Sequence, residues 1–210
     1  MWRILLTDDH ALLRSGLRRI LEEALPGVCV GEAGSVEEAV KALEKGQWDL
    51  LVLDISLPGR SGLDALPDIK AAYPTVPVLV LSMFGEQQFA IRALKAGASA
   101  YLTKEHAPEE LIKAIRTVLG GKRYIGSALA ESLAAHVALD RVGAPHEQLS
   151  AREFEVFRLI ASAKGMTEIA EELGLSVKTV STYRTRILEK MQLSSNAELM
   201  QYALRQGLVE

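Results

Sequence analysis

The chain has 210 residues, of which 49% are hydrophobic and 24% are charged, and its formal net charge is −3. It is longer than one typical domain of roughly 100–150 residues, so two domains are expected. The apolar runs fall far short of the ~18 residues of a membrane helix. An acidic residue at position 8 argues against a secretory signal, so we expect a cytoplasmic protein without membrane contact. The single cysteine excludes an intrachain disulfide.

The first 120 residues alternate short β-rich apolar runs with segments of helical period. The predicted strands span residues 3–7, 28–33, 50–54, 78–82 and 100–102. The predicted helices span residues 11–23, 36–45, 63–73, 86–96 and 108–119. This alternation predicts an α/β domain over residues 1–120, with a doubly wound parallel sheet covered on both faces. Cys29, inside the second apolar run, is expected to be a small buried residue.

Polar side chains stand at the carboxyl ends of four predicted strands, where the functional site of an open parallel sheet lies. They are Asp8 and Asp9, Asp54, Ser82, and Thr103 with Lys104. Converging carboxylates repel one another, and a hard divalent cation such as Mg²⁺ relieves that repulsion. A carboxylate can also attack phosphorus, and the oxygens of the aspartyl-phosphate then need a cation, a hydroxyl and a metal around them. The sequence therefore predicts a magnesium-dependent phosphate site at this edge of the sheet.

This set of residues resembles the receiver domain of response regulators, which has a flavodoxin-like (βα)5 fold. The resemblance covers residues 1–120 and includes the Ile-Ser-Leu-Pro-Gly run after Asp54. It implies that Asp54 is the phosphoacceptor and that a sensor histidine kinase is the donor. The other implied roles are Mg²⁺ binding by Asp8, Asp9, Asp54 and the backbone carbonyl of Ser56, phosphoryl binding by Lys104 and Ser82, and an inward movement of Tyr101.

The loop after Asp54 departs from the family pattern, because Arg60-Ser61-Gly62 stand where Met-Asp-Gly is common. Ser56 lies two residues past Asp54, and Phe84 lies two residues past Ser82. We hypothesise that both tune the lifetime of the phosphoryl group.

Ser56 also argues against an alternative function, that of a phosphohydrolase. Phosphohydrolases that form an aspartyl-phosphate need a second aspartate at that position, so its absence argues against an enzyme with a small-molecule substrate.

The four histidines do not form a metal-binding pattern. His10 begins the first helix beside the acid pair, and a capping or surface role is favoured over metal ligation because hard ions prefer oxygen. His106, His136 and His146 share no ligand spacing and are expected to be exposed. Glycine-rich nucleotide-binding motifs do not occur in the sequence.

Residues 121–147 are predicted to be a connector, in which residues 128–139 are rich in alanine and leucine and have helical composition. Residues 148–210 show no strand pattern and predict an all-α, four-helix domain. Its helices are expected at residues 151–162, 167–173, 177–191 and 196–205. Capping-box patterns, in which a serine is followed three residues later by a glutamate, predict helix starts at Ser35, Ser150 and Ser195.

The second and third of these helices, separated by Gly174, form a helix-turn-helix pattern. One side of the third helix is apolar, whereas the other carries hydroxyls and cations that suit the major groove of DNA. The residues predicted to contact DNA are Lys178, Thr179, Ser181, Thr182, Arg184, Thr185, Arg186 and Lys190. A basic amphipathic helix alone is more often a solvated face, so the assignment depends on its context.

That context is a resemblance of residues 148–207 to the LuxR-type (NarL/FixJ) DNA-binding domain, carried by residues 149–160, 168–170 and 176–180. It implies that residues 177–191 are the recognition helix and that the last helix is a dimer surface. Ser181 departs from the lysine that many members carry. Residues 148–210 hold eight basic and eight acidic residues, which predicts modest affinity for one copy and favours a homodimer on half-sites about one helical turn apart.

The two resemblances together predict a transcription regulator. Phosphorylation of Asp54 would control dimerisation and binding to promoter DNA, with RNA polymerase as a further expected partner. One alternative remains for the output domain, which could bind protein instead of DNA. The sequence also leaves open whether the first domain covers the recognition helix or holds the dimer apart before phosphorylation.

Overall fold

The computed structural model describes residues 1–83, 87–104, 108–126 and 144–209, with backbone alone for residues 87 and 88. The chain forms two compact units, Met1–Asp140 and Arg141–Glu210. Phe84, His106, His136 and the helical segment expected at residues 128–139 lie outside the described residues. The boundaries 1–120, 121–147 and 148–210 stay a prediction.

The first unit is built on one sheet of five parallel strands in the order β2-β1-β3-β4-β5. The strands are β1 (Arg3–Thr7), β2 (Cys29–Ala33), β3 (Leu50–Asp54), β4 (Val78–Ser82) and β5 (Ala100–Thr103). This order is that of the flavodoxin-like doubly wound sheet, which confirms the predicted α/β fold. Cys29 is only half-buried, contrary to expectation, because β2 is an edge strand.

Five helices within the described residues cover the sheet: α1 (Ala11–Ala24), α2 (Val36–Lys45), α3 (Gly62–Ala72), α4 (Gln87–Lys95) and α5 (Pro108–Leu119). Side chains of α1 and α5, such as Leu21 and Ile115, pack with alternate strand residues such as Ile4, Leu50 and Leu102 in one core. Strand residues of the opposite parity, which include Leu5, Leu51 and Leu53, are fully buried as well. The strands are therefore covered on both faces, as their continuous apolar sequences predict.

Between residues 144 and 209, the second unit contains a 3₁₀ turn (Pro145–Gln148) and four helices. These are α6 (Ala151–Ala161), α7 (Met166–Glu172), α8 (Val177–Met191) and α9 (Asn196–Gln206). Phe154, Phe157, Val180 and Leu199 form its core and are fully buried. The prediction of an all-α, four-helix domain is confirmed. The expectation that His146 is exposed is wrong, because the ring is half-buried and its Nδ1 lies 2.6 Å from the Tyr202 hydroxyl.

The three predicted helix starts differ in detail. Ser150 and Glu153 form a complete capping box, each accepting an N–H bond from the other's backbone. At the other two sites the serine caps its helix as expected, but the glutamate reaches one residue further back. Glu38 accepts from Gly34 N–H at 2.7 Å, and Glu198 accepts from Ser194 N–H at 2.7 Å. Within the described ranges, every helix is too short or too polar to cross a membrane.

Candidate functional site

The predicted phosphate site lies at the carboxyl edge of the sheet. Asp54 ends β3, Ser82 ends β4, Asp8 follows β1, and Lys104 follows β5. The register pairs Asp54 with Leu81 and Ser82 with Thr103, so the ends of these strands are level. The edge therefore brings together the side chains that the sequence predicted would meet.

A buried ion triad occupies the centre of this edge. Lys104 Nζ lies 2.7 Å from Asp8 Oδ2 and 2.7 Å from Asp54 Oδ2, and none of the three side chains is more than 5% exposed. Each carboxylate keeps a second partner on its other oxygen. His10 N–H donates to Asp8 Oδ1 at 2.8 Å, and Ser56 N–H donates to Asp54 Oδ1 at 3.2 Å. One ammonium thus holds two like charges together, and backbone amides fix their orientation.

The electrostatics of the triad set the protonation of Asp54. Burial raises the pKa of the Asp54 carboxyl, the nearby Lys104 ammonium lowers it, the Asp8 carboxylate raises it, and the net pKa is about 6. Burial lowers the pKa of Lys104, but attraction to Asp54 and Asp8 outweighs burial and leaves that pKa above its ordinary value. At pH 7 most of Asp54 is ionised and Lys104 carries its charge, so the carboxylate is available as a nucleophile.

Asp54→Asn is expected to stabilise the metal-free first unit by about 1–3 kcal/mol at pH 7, because it removes a charge that burial disfavours. The pKa of Asp54 is raised from 3.8 to about 6 on folding. The gain of the variant over wild type should therefore vanish below pH 4 and be complete above pH 6. Urea unfolding in a chelator measures it through Trp2 and Trp48, both of which lie in the first unit.

The half-exposed Asp64 offers a matched control, since its side chain is 43% exposed and outside the triad. Asp64→Asn should not stabilise the first unit at pH 7, because water reaches the charge that it removes. A gain for Asp54→Asn that is the same at pH 4 and pH 7 would show that burial of the Asp54 charge is not its cause.

The donor set at this edge fits a hard divalent cation. Oxygen atoms of Asp8, Asp9 and Asp54 and a ring nitrogen of His10 all lie within 4.8 Å of one another. His10 is the N-cap residue of α1 and is largely exposed, and its Nδ1 lies 2.7 Å from Asp9 Oδ1. The three carboxylates are therefore the ligands that suit Mg²⁺, and the imidazole is a neighbour of one of them.

The remaining predicted residues of this site are all close to it. Ser82 is fully buried, and its carbonyl accepts the Lys104 N–H at 2.7 Å. Tyr101 is 5% exposed, on the strand that leads to Lys104. The backbone N–H of Ser56 donates to Asp54. That the Ser56 carbonyl binds a metal stays a prediction. The movement of Tyr101 likewise stays a prediction.

Gly62 is a site residue that sequence reasoning did not single out. A Cβ atom at this position would lie 1.9 Å from the Asp54 carbonyl oxygen. Its N–H donates to the Ile55 carbonyl at 2.9 Å, and Ser61 caps α3 immediately before it. The glycine therefore lets the start of α3 pass directly against the backbone of Asp54. The signal was present in the sequence, because Gly62 is the position at which the loop keeps the family's glycine.

The predicted helix-turn-helix is formed by α7 and α8. Gly174 stands between them with φ +62°, and Ser176 caps α8 by accepting the Thr179 N–H at 3.1 Å. Val180, Ile187 and Met191 bury one side of α8. The opposite side is exposed, and its residues are Lys178, Ser181, Thr182, Thr185, Arg186, Glu189 and Lys190. This is the hydroxyl-rich and cationic surface that the sequence predicted.

Two of the predicted DNA contacts bind side chains on other helices of the domain. Arg184 is half-buried and its Nε donates to Asn196 Oδ1 at 2.6 Å, at the start of α9. Lys190 Nζ donates at 2.6 Å to Glu153, the buried glutamate of the α6 capping box. Their contact with DNA stays a prediction, and it would require these bonds to be exchanged for bonds to phosphate. Within the described part of the chain, the side chains of Lys178 and Arg186 have no such partner.

Comparison with known families matches both units. The family described as "Response regulator receiver domain" matches residues 4–116, and the family described as "Bacterial regulatory proteins, luxR family" matches residues 147–203. The response regulator UvrY of Escherichia coli K12 is 38% identical over 99% of this chain and 96% of its own length. The response regulator GacA of Pseudomonas viridiflava is 37% identical over 100% of this chain and 99% of its own length.

Solved structures agree with these relatives. RcsB of Salmonella enterica serovar Typhimurium, bound to the promoter rprA in the presence of the phosphomimetic BeF3−, is 28% identical with a TM-score of 0.62. That match covers 96% of this chain and 98% of RcsB. A LuxR-family response regulator from Aurantimonas is 36% identical with a TM-score of 0.61, over 65% of this chain and 97% of its own. The chain is a response regulator of the NarL/FixJ family, with a receiver domain and a LuxR-type DNA-binding domain.

Proposed function

We propose that Asp54 is the phosphoacceptor of this response regulator, that a sensor histidine kinase is its donor, and that phosphorylation controls dimerisation and promoter binding through α8. The observation that supports the proposal most directly is the ion triad. Asp54 is buried beside the Lys104 ammonium, the Asp8 carboxylate and the backbone N–H of Ser56, at the edge of the sheet where β4 ends with Ser82. Such a carboxylate is held in place before the reaction begins.

The chemistry follows from the two oxygens of Asp54. One carboxylate oxygen attacks phosphorus, the bond from phosphorus to the donor's nitrogen or oxygen breaks, and the donor leaves with that electron pair. Lys104 Nζ, now 2.7 Å from Asp54 Oδ2, is placed to bind an oxygen of the transferred group, and the Ser82 hydroxyl is a second candidate. Asp8, Asp9 and Asp54 would hold Mg²⁺, which supplies positive charge to the phosphoryl oxygens when bound.

Several observations support the DNA-binding part of the proposal. RcsB, a structural relative, has been solved on promoter DNA in the presence of a phosphomimetic, and also as two dimers bound to two parallel DNAs. In this chain Lys178 and Arg186 are exposed cations on α8 that suit phosphate. We propose a homodimer on promoter DNA in the cytoplasm, with RNA polymerase as a further partner and no membrane partner.

Turnover of a small phosphorylated substrate is disfavoured. Ser56 stands where phosphohydrolases that form an aspartyl-phosphate need a second aspartate, and its backbone N–H donates to Asp54. We propose that the receiver assists only its own phosphorylation and dephosphorylation. The hypothesis that Ser56 and Phe84 tune the lifetime of the phosphoryl group belongs to this proposal.

The test is phosphorylation by acetyl phosphate with Mg²⁺, followed by intact mass, oligomeric state and binding to promoter fragments. Wild type should gain one phosphoryl group and bind DNA more tightly, whereas Asp54→Asn should gain none and show no change. Asp64→Asn, the half-exposed control, should behave as wild type. Phosphorylation of Asp54→Asn would overturn the assignment of Asp54. Phosphorylated wild type that binds no promoter fragment would instead favour an output domain that binds protein.

A further inference from the structure

The exposed side of α8 carries two threonines whose hydroxyl groups are already used by their own helix. The Thr182 hydroxyl donates to the Lys178 carbonyl at 3.0 Å, and the Thr185 hydroxyl donates to the Ser181 carbonyl at 3.1 Å. Both side chains are exposed, so the bonds are made in spite of free access to water. Each is the bond to the carbonyl four residues earlier that threonine forms in helices.

This bonding decides what the two side chains can offer a base pair. A hydroxyl has one hydrogen, and a hydrogen given to the helix backbone cannot also be given to a base. What remains on each threonine is the γ-methyl group and an oxygen lone pair. In the major groove the apolar partner for a methyl group is the C5-methyl of thymine, and no other base carries one there.

The positions of the threonines suit neighbouring base pairs. Residues 182 and 185 are three apart, which places them side by side on one face of the helix, with Cβ atoms roughly 5–6 Å apart. That distance corresponds to one or two steps of ~3.4 Å along a DNA strand. Lys178 lies one turn before Thr182, and Arg186 follows Thr185, so cations that suit phosphate flank the pair.

We propose that Thr182 and Thr185 read the promoter through their γ-methyl groups, and that they select thymine at two base pairs one or two steps apart. This inference rests on the proposed function, in which α8 enters the major groove. Sequence choice then comes from apolar contacts at these two positions, and Lys178 and Arg186 hold the backbone without choosing bases. Ser181, which directly precedes Thr182, has no methyl group and leaves its base pair less restricted.

The experiment exploits two substitutions that separate methyl from hydroxyl. Threonine to valine keeps the methyl and removes the hydroxyl, whereas threonine to serine keeps the hydroxyl and removes the methyl. A site is first selected from random duplex DNA by phosphorylated wild-type protein at fixed salt. Binding is then measured for T182V, T182S, T185V and T185S, on that site and on copies in which deoxyuridine replaces one thymine of each half-site at a time.

Wild type should lose about fourfold in affinity for each contacted thymine methyl that is removed, which is the value of one buried methyl-sized group. The valine variants should stay within about twofold of wild type and keep the preference for thymine over uracil. Each serine variant should lose about fourfold on the thymine site. It should then be indifferent to deoxyuridine at the thymine that its own position contacts, because that methyl contact is already gone, and it should keep the wild-type preference at the thymine that the other threonine contacts.

Thr117 provides the matched control, since its hydroxyl donates to the Lys113 carbonyl at 2.8 Å in the same way but in α5 of the first unit. T117V and T117S should leave DNA binding unchanged. Valine variants that bind tenfold more weakly than wild type, or serine variants that each keep the full wild-type preference at every thymine, would overturn the inference and assign the contact to the hydroxyl. Wild type that selects no sequence at all would overturn the proposed function itself, a result that is distinct from either.

Discussion

Replacing Lys104 with methionine should destabilise the first unit by about 3–5 kcal/mol at pH 7, the cost of leaving buried charge without its partner. The Lys104 ammonium lies 2.7 Å from an oxygen of both Asp8 and Asp54, and the two carboxylates are at most 4% exposed. Methionine keeps much of the volume and removes the charge. The two carboxylates are then left facing each other in a site from which water is largely excluded.

This destabilisation should depend on pH and on metal. The Lys104 charge lowers the pKa of Asp54, so in the variant that pKa should rise above 6. Protonation of Asp54 then removes the repulsion, and most of the loss should be recovered at pH 5. Millimolar Mg²⁺ at pH 7 should recover part of it as well, because the cation replaces the missing positive charge. Urea unfolding followed by the fluorescence of Trp2 and Trp48 gives these values.

The double variant K104M/D54N is the control for this explanation. It removes one carboxylate together with the lysine, so it should be more stable at pH 7 than K104M alone. A loss for K104M that stays below 1 kcal/mol, or that is equal at pH 5 and pH 7, would show that the triad does not hold the edge of the sheet together.

Gly62→Ala is expected to cost about 3 kcal/mol or more and to slow phosphorylation by acetyl phosphate about 100-fold. The added methyl would lie 1.9 Å from the Asp54 carbonyl oxygen and 3.1 Å from the Leu53 side chain. Because the first of these atoms belongs to the backbone, relief requires β3 and α3 to move apart. That movement shifts the reacting carboxylate relative to Lys104.

Gly16→Ala is the matched control for Gly62→Ala, because the same substitution should change the stability of the first unit in the opposite direction. Gly16 lies within α1, and an added Cβ atom there meets no atom within 4 Å. Alanine is the better helix former by about 1 kcal/mol, so G16A should stabilise the same unit and leave phosphorylation unchanged. The two variants make the same chemical change in the same unit. Equal stability for G62A and G16A would show that the close approach of α3 to Asp54 is not needed.

The sequence was sufficient for the sheet and for the convergence of polar side chains at its edge, and the reason is geometric. Strands buried on both faces have continuous apolar sequences, and the carboxyl ends of parallel strands meet at one edge. The side chains that follow those strands, such as Asp8, Asp54 and Lys104, could therefore be placed together without coordinates. Gly62 could not be placed in this way. The glycine that the loop keeps marks the position, but a sequence pattern does not give the distance between two backbone segments.

The surface of α8 was only partly predictable for a related reason. Helical periodicity separates an apolar side from a polar side, but the borders between them face neighbouring helices. Arg184 lies on such a border and binds Asn196, and Lys190 lies near the end of the helix and binds Glu153. Sequence spacing alone does not distinguish a cation that faces solvent from one that binds the next helix. The histidine at position 146 was misjudged for the same reason, since its partner Tyr202 is 56 residues away in sequence.

The bond between Lys190 and Glu153 has a practical meaning for redesign of this regulator. Glu153 also accepts the Ser150 N–H at 2.8 Å, so one carboxylate joins the last turn of α8 to the first turn of α6. When recognition helices are exchanged to change promoter choice, Lys190 should be kept, because it holds α8 to the rest of the domain. Within residues 177–186 only the exposed positions can be exchanged freely, because Val180 is in the core and Arg184 binds Asn196. A graft that changes residue 190 has to change residue 153 as well.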